Sequence, residues 1–203
     1  EGDFVVVPGM DNAYVNSIKS SAKAWYSTWF PYDSADLSTD EKLYMDKINR
    51  VKIGYFRPLI MSAFLKVTQV DPMRLKLLKE IERFIFINFR LCRAQSNYCS
   101  SHYYRRTRDI YRGDEKIEKV ILELNEHTDW TVNDDNTFDT KMFFAFIDKK
   151  FTSKSGDGFY GWNDLRYFLF EYEENLKQIR GQPKIGWNNF VKSESDKVSI
   201  EHV

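Results

Sequence analysis

The sequence predicts an all-α fold: a bundle of about seven or eight helices, with a short strand at the C-terminal end. Three observations carry that prediction. Apolar residues recur three and four positions apart in one segment after another, the spacing that lines one face of a helix. Turn formers are scarce, with 9 Gly and 5 Pro in 203 residues, too few for a many-turned β-sandwich. Start and stop signals for helices recur along the chain. With 42% hydrophobic and 16% aromatic residues, a chain of this length can bury a core without disulfides or metals.

The elements follow in order. Residues 1–10 read as an extended lead-in, with Pro8-Gly9 near its end. Asp11 is placed to cap a helix over about 12–30, which carries Tyr14, Val15, Ile18, Ala22, Trp25, Tyr26 and Trp29 on one stripe and stops at Pro31. Ser38 and Glu41 have the spacing of a capping box, opening a helix that runs to about Ile53. Residues 55–67 form an apolar helix that tolerates Pro58 in its first turn. Asp71-Pro72 starts a long helix, and from Phe84 to Phe89 it is apolar on nearly all sides, so it is the central, buried one.

A helix over about 97–112 ends at Gly113, and Asp114 caps a charged amphipathic helix over 115–127. After a polar loop at 128–137, residues 138–151 turn Phe143, Phe144, Phe146, Ile147 and Phe151 inward. A Gly-rich stretch at 155–161 precedes a helix over 162–180, with Leu165, Phe168, Leu169, Tyr172, Leu176 and Ile179 on its core face and Gly181-Gln182-Pro183 closing it. Residues 11–181 thus read as one helical domain. Residues 182–203 read as a linker and the first strand of something further.

Charge gives no general reason to seek polyanions, since 30 basic residues balance 30 acidic ones. One window is lopsided. Residues 83–112 hold Arg83, Arg90, Arg93, Arg105, Arg106, Arg108 and Arg112 against Asp109 alone, a net +6 that leaves −6 for the rest. Arg105, Arg108 and Arg112 share a helical face, and Tyr103, Tyr104 and Tyr111 interleave with them. Guanidinium forks bind phosphate and phenol rings stack on bases, so Arg90, Arg93, Arg105, Arg106, Arg108 and Arg112 are candidate nucleic-acid or phosphate contacts. The competing expectation is that they pair with the acidic stretch at 114–129.

Other motifs carry less. Gly156-Asp157-Gly158-Phe159-Tyr160-Gly161 has the letters of a dinucleotide-binding turn but follows no strand. The Asp-rich loop at 129–139 lacks the spacing of a calcium loop. His102 and His127 read as surface helix residues and match no metal-ligand spacing, so no metal site is expected. Cys92 and Cys99 lie seven apart in what reads as helix, about 10 Å along its axis, too far for a disulfide. Free thiols point to a reducing, cytoplasmic setting. No apolar run reaches the ~18–20 residues that cross a bilayer, so no membrane partner is expected. The opening Glu1-Gly2-Asp3-Phe4, without Met, suggests a piece of a longer protein, with a removed signal peptide as the other explanation.

Four phrases in order carry a resemblance: YFRPLIMSAF at 55–64, FIFINFRLCR at 84–93, WNDLRYFLFEYE at 162–173 and VSIEHV at 198–203. In these the chain resembles the helical region of GmrSD-type modification-dependent restriction endonucleases, up to the start of their HNH-like domain. Such proteins join a ParB-like NTP-hydrolysing domain to an HNH-like nuclease domain. The resemblance implies a coupling region, not catalytic alone, in a phage-defence endonuclease. It also implies the adjoining N- and C-terminal domains and DNA as partners. A divalent metal and an NTP are implied for the full-length parent, with no cofactor in this stretch. His202 falls on the family's general-base position, in an incomplete site, and the Asp-Gly-Gln-Gln-Arg motif of the NTPase domain is absent from this sequence. A stand-alone helical module binding protein or nucleic acid is the alternative.

Overall fold

A computed structural model describes residues 10–52, 54–92, 94–128, 137, 139–151, 162, 164–181 and 186–187. The described residues are all-α, as the sequence predicts, with no strand among them. They belong to two compact units, Glu1–Phe138 and Asp139–Val203. Residues 1–9 of the lead-in, Arg93, the Gly-rich stretch at 155–161 and the end of the tail, 188–203 with His202, lie outside the described residues, and Met10 belongs to the first helix.

The first unit holds α1 (Met10–Trp29), α2 (Thr39–Val51), α3 (Arg57–Lys66), α4 (Pro72–Ile85), α5 (Ser100–Arg112) and α6 (Ile117–Glu126). Several ends form where the sequence places them. The Ser38 side chain accepts from the Glu41 amide at 3.2 Å, and Glu41 Oε2 accepts from the Ser38 amide at 2.8 Å, closing the capping box of α2. Asp71 accepts from the Met73 amide at 2.9 Å, with Pro72 in the first turn of α4. Gly113 ends α5 at φ +80°, a left-handed conformation that suits a residue without Cβ.

Other ends differ. Helix α1 starts at Met10, so Asp11 lies inside it. Lys116, not Asp114, is the N-cap of α6. The apolar run expected as one long α-helix changes form: α4 ends at Ile85, and Phe86–Leu91 continue as a π-helix. The fully buried Asn88 donates its side-chain amide to the Phe84 carbonyl at 3.1 Å within that run. The chain then turns, and Cys99 sits at φ +57° before α5. The two cysteines are therefore not on one helix, and both are half-buried free thiols.

Packing runs mainly α1–α3–α5 on one side and α2–α4–α6 on the other. An aromatic cluster joins the two rows. Phe84 of α4 lies 5.4 Å from Phe56 and 5.6 Å from Tyr103 of α5, between ring centroids. Met45, Ile48, Leu59, Ile60, Leu77, Ile81 and Leu124 complete the core.

The second unit holds α7 (Thr140–Phe151) and α8 (Leu165–Ile179). Asp139 accepts from the Lys141 amide at 2.9 Å at the start of α7. Phe144, expected to face inward, is exposed. On α8 the buried side chains are Leu165, Tyr167 and Phe170, while Tyr172 and Ile179 are exposed, so its core face is rotated from the expected one. The reason is a partner beyond the helix: Trp187 packs edge-on against Phe170, with ring centroids 5.0 Å apart.

Candidate functional site: the two faces of α5

Helix α5 presents arginine on both sides, and its neighbours decide what each arginine does. On the inner side, Arg106 reaches α6. Its Nε donates to Glu123 Oε2 at 2.7 Å and its Nη2 to Glu123 Oε1 at 2.5 Å, a bidentate fork. Asp109 and Glu115 lie within 3.3 and 3.8 Å of the same guanidinium. His102, one turn before Arg106, shares a 2.9 Å hydrogen bond with Glu123 Oε2.

Burial pushes the Glu123 carboxyl up, but the hydrogen bonds from Arg106 and His102 outweigh it and hold the group below the usual carboxylate range. The Glu123 hydrogen bonds in turn hold Arg106 above its ordinary value. The same end of the helix pair carries a second contact. The fully buried Tyr103 shares a 2.8 Å hydrogen bond with His127 Nδ1. Burial pushes the Tyr103 phenol up, so its hydroxyl stays protonated. Burial, followed by the nearby His102, pulls His127 below its ordinary value.

The outer side is different. Tyr104, Arg105, Arg108, Tyr111 and Arg112 are all exposed there. Arg108 pairs with Asp109 at 2.9 Å on the surface, whereas Arg105 and Arg112 make no ion pair among the described residues. Lys66 of α3 sits 4.6 Å over the Tyr111 ring and extends the basic strip.

The remaining candidates, and Arg83 of the same basic window, are placed elsewhere. Arg90 donates to the Val51 carbonyl at the C-terminal end of α2, where a cation meets the negative end of the helix. Arg83 reaches Asn125 of α6 at 3.0 Å. Arg93 and His202 lie outside the described residues. The acidic stretch at 114–129, expected as the alternative partner of the basic window's arginines, takes up Arg106 through Glu123 and Glu115, whereas the joining of His102, His127 and Tyr103 to the same cluster was not foreseen. The available signal was the four-residue spacing of His102 with Arg106 and of Glu123 with His127, on consecutive helices.

Chemically, the inner cluster is a clamp. Both oxygens of Glu123 are occupied by Arg106 and His102, and burial pushes the Cys99 thiol up, away from the reactive thiolate. Among the described residues no group of three or more His, Cys, Asp or Glu is placed to hold a metal ion. No described helix is long and apolar enough to cross a membrane. No protein-family model, curated protein or solved structure matches the chain.

Proposed function

We propose that this chain is the helical coupling region of a larger GmrSD-type, NTP-dependent and modification-dependent DNA endonuclease that acts against phage, with no complete active site of its own. One observation supports this above the others: inward polar groups tie the helices of the first unit together, while a basic, aromatic strip on α5 is left in water. A coupling region needs both a body that moves as one piece and a surface that meets the DNA backbone. In this reading Arg105 and Arg112 are the phosphate contacts, with Arg108 beside them. Arg90 and Arg106 are interhelical ties. The NTP and the divalent metal belong to the adjoining domains, and no described residue is assigned to either. His202 opens the nuclease domain and acts there as general base on water.

The DNA part is tested by titrating the chain with duplex DNA across a range of salt. Affinity should fall linearly on logarithmic axes, and Arg105→Ala/Arg112→Ala should reduce the slope by about 2, at roughly 0.9 per phosphate contact. Absence of binding even at low salt removes DNA as a partner. The coupling part is tested in the parent gene. A reading frame that stops just after Val203, with no Asp-Gly-Gln-Gln-Arg motif upstream, sinks it.

A further inference from the structure

The exposed side of α5 carries two kinds of residue in two separate rows. At about 100° per residue, Tyr104 and Tyr111 fall within about 20° of one another around the helix. Arg108, Arg112 and Arg105 follow at about 40°, 80° and 100° from Tyr104, all on one flank. Both rows run along the axis. The tyrosines stand seven residues apart, about 10 Å at ~1.5 Å per residue, and so do Arg105 and Arg112. All five side chains are exposed, while Tyr103 and Ile110 are buried on the opposite arc.

Neither ring is loose. Lys66 of α3 lies 4.6 Å over the Tyr111 ring, and Tyr55 lies 6.4 Å from Tyr104 between centroids. Yet Tyr104 and Tyr111 leave 51% and 42% of their surface in water. A ring braced in this way gives up little rotamer freedom when something stacks on it. The arginine row keeps its charge. Glu115 and Glu123 turn to Arg106 instead, Arg108 meets Asp109, and Arg105 and Arg112 make no ion pair among the described residues. The exposed Asp114, past Gly113, bounds the row.

Two rows call for two parts of one ligand. Guanidinium forks take phosphate oxygens, and ring faces take base faces. In a duplex the bases stack on each other and only their edges reach the grooves. Duplex phosphates would engage the arginines and leave the tyrosines idle. In a single strand the base faces are open, so phosphates can follow one row while bases stack on the other. The ~10 Å between the tyrosines equals about three steps of a strand stacked at ~3.4 Å, and fewer of an extended one.

Building on the DNA contacts proposed above, we infer that the exposed face of α5 is a site for single-stranded DNA. The sugar-phosphate backbone lies along Arg105, Arg108 and Arg112, and two bases stack on Tyr104 and Tyr111. Duplex is a weaker ligand, held by the arginines alone. Binding tolerates many sequences, because every base has a ring face.

The test compares one mixed-sequence oligonucleotide, free and annealed to its complement, by fluorescence anisotropy with the full chain at low salt. The free strand should bind about tenfold more tightly than the duplex. Tyr104→Ala and Tyr111→Ala should each lower strand affinity by about fivefold or more, the loss of one stacked base, and leave duplex affinity within about twofold. Tyr104→Phe and Tyr111→Phe should keep strand binding, since stacking needs the ring and not the hydroxyl. Arg105→Ala/Arg112→Ala should weaken both forms. Circular dichroism of each variant should match the parent chain, because the side chains changed are exposed. An abasic strand of the same length should bind about as weakly as the duplex, an arm that needs no variant. Equal affinity for strand and duplex, an abasic strand bound like the intact one, or alanine variants that bind strand like the parent each overturn this site and leave the duplex contacts standing. A ribonucleotide strand bound more tightly than its DNA counterpart overturns DNA as the ligand. No binding of either form overturns the DNA contacts of α5 altogether.

Discussion

The inner and outer faces of α5 use the same residue for opposite ends. Arg106 and Arg105 are adjacent in sequence, yet Arg106 is gripped by Glu123 while Arg105 stands in water. What separates them is the ~100° that one residue turns around a helix. An arginine-rich helix is therefore neither wholly structural nor wholly a binding surface. The neighbouring acidic helix claims the arginine that faces it and leaves Arg105 and Arg112 exposed, while Arg108 pairs with Asp109 of its own helix. Elsewhere in the first unit the inward type recurs in a more buried form. Arg74 donates to Glu41 at 2.7 Å with both side chains almost fully buried, and it also meets the Asp36 and Val67 carbonyls.

That contrast can be broken by mutation. The largest effect is expected at the most buried tie. Arg74→Met should destabilise the first unit by about 3–5 kcal/mol, because it leaves the Glu41 carboxylate buried and unpaired. Urea unfolding followed by circular dichroism measures it, and a loss under 1 kcal/mol, within the ~0–1 of a surface pair, would put this bridge in that class. Arg106→Ala should cost less, about 1.5–3 kcal/mol, since its hydrogen bonds are charge-assisted but partly solvated. Arg105→Ala/Arg112→Ala should stay within ~0.5 kcal/mol, as expected of a surface change. If the outer pair proved as costly as Arg106, the division between the faces would fail.

The smallest effect is a pH dependence. His127 titrates below its ordinary 6.5, so between that lowered value and 6.5 the unfolded chain binds the extra proton. Stability should therefore rise with pH through that window and be lost as pH falls through it. Tyr103, His102, Glu123 and Glu126 all act on this imidazole, through the hydrogen bond or through charge. Glu123 adds a second loss at lower pH, because its carboxyl is held below 4.5 and its contribution disappears as pH falls through the lowered value. His127→Gln keeps an acceptor for Tyr103 and should flatten only the upper window in melting temperatures measured across pH. An unchanged slope there would remove His127 as the source.

Much of this was legible in the sequence, for local reasons. The capping box of Ser38 and Glu41, the Asp71-Pro72 start and the Gly113 stop involve groups within a few residues of one another, so their spacing alone encodes the contact. The site was half legible. Placing Arg105, Arg108 and Arg112 on one face needs only helical geometry, whereas joining Arg106 to Glu123 needs the packing angle of two helices. The core face of α8 was misplaced because Trp187, outside the helix, draws Phe170 and Tyr167 inward.

By itself the sequence determined the fold class, most helix positions and the basic character of α5. Those follow from backbone propensities, local hydrogen bonds and the 3.6-residue period. Tertiary structure decided which face of each helix is covered. An apolar stripe has the same spacing whether a neighbour packs on it, as on α4, or water does, as on α1. An arginine likewise has the same charge whether a glutamate grips it or not. Burial and pairing belong to two surfaces at once, and one stretch of sequence describes only one of them.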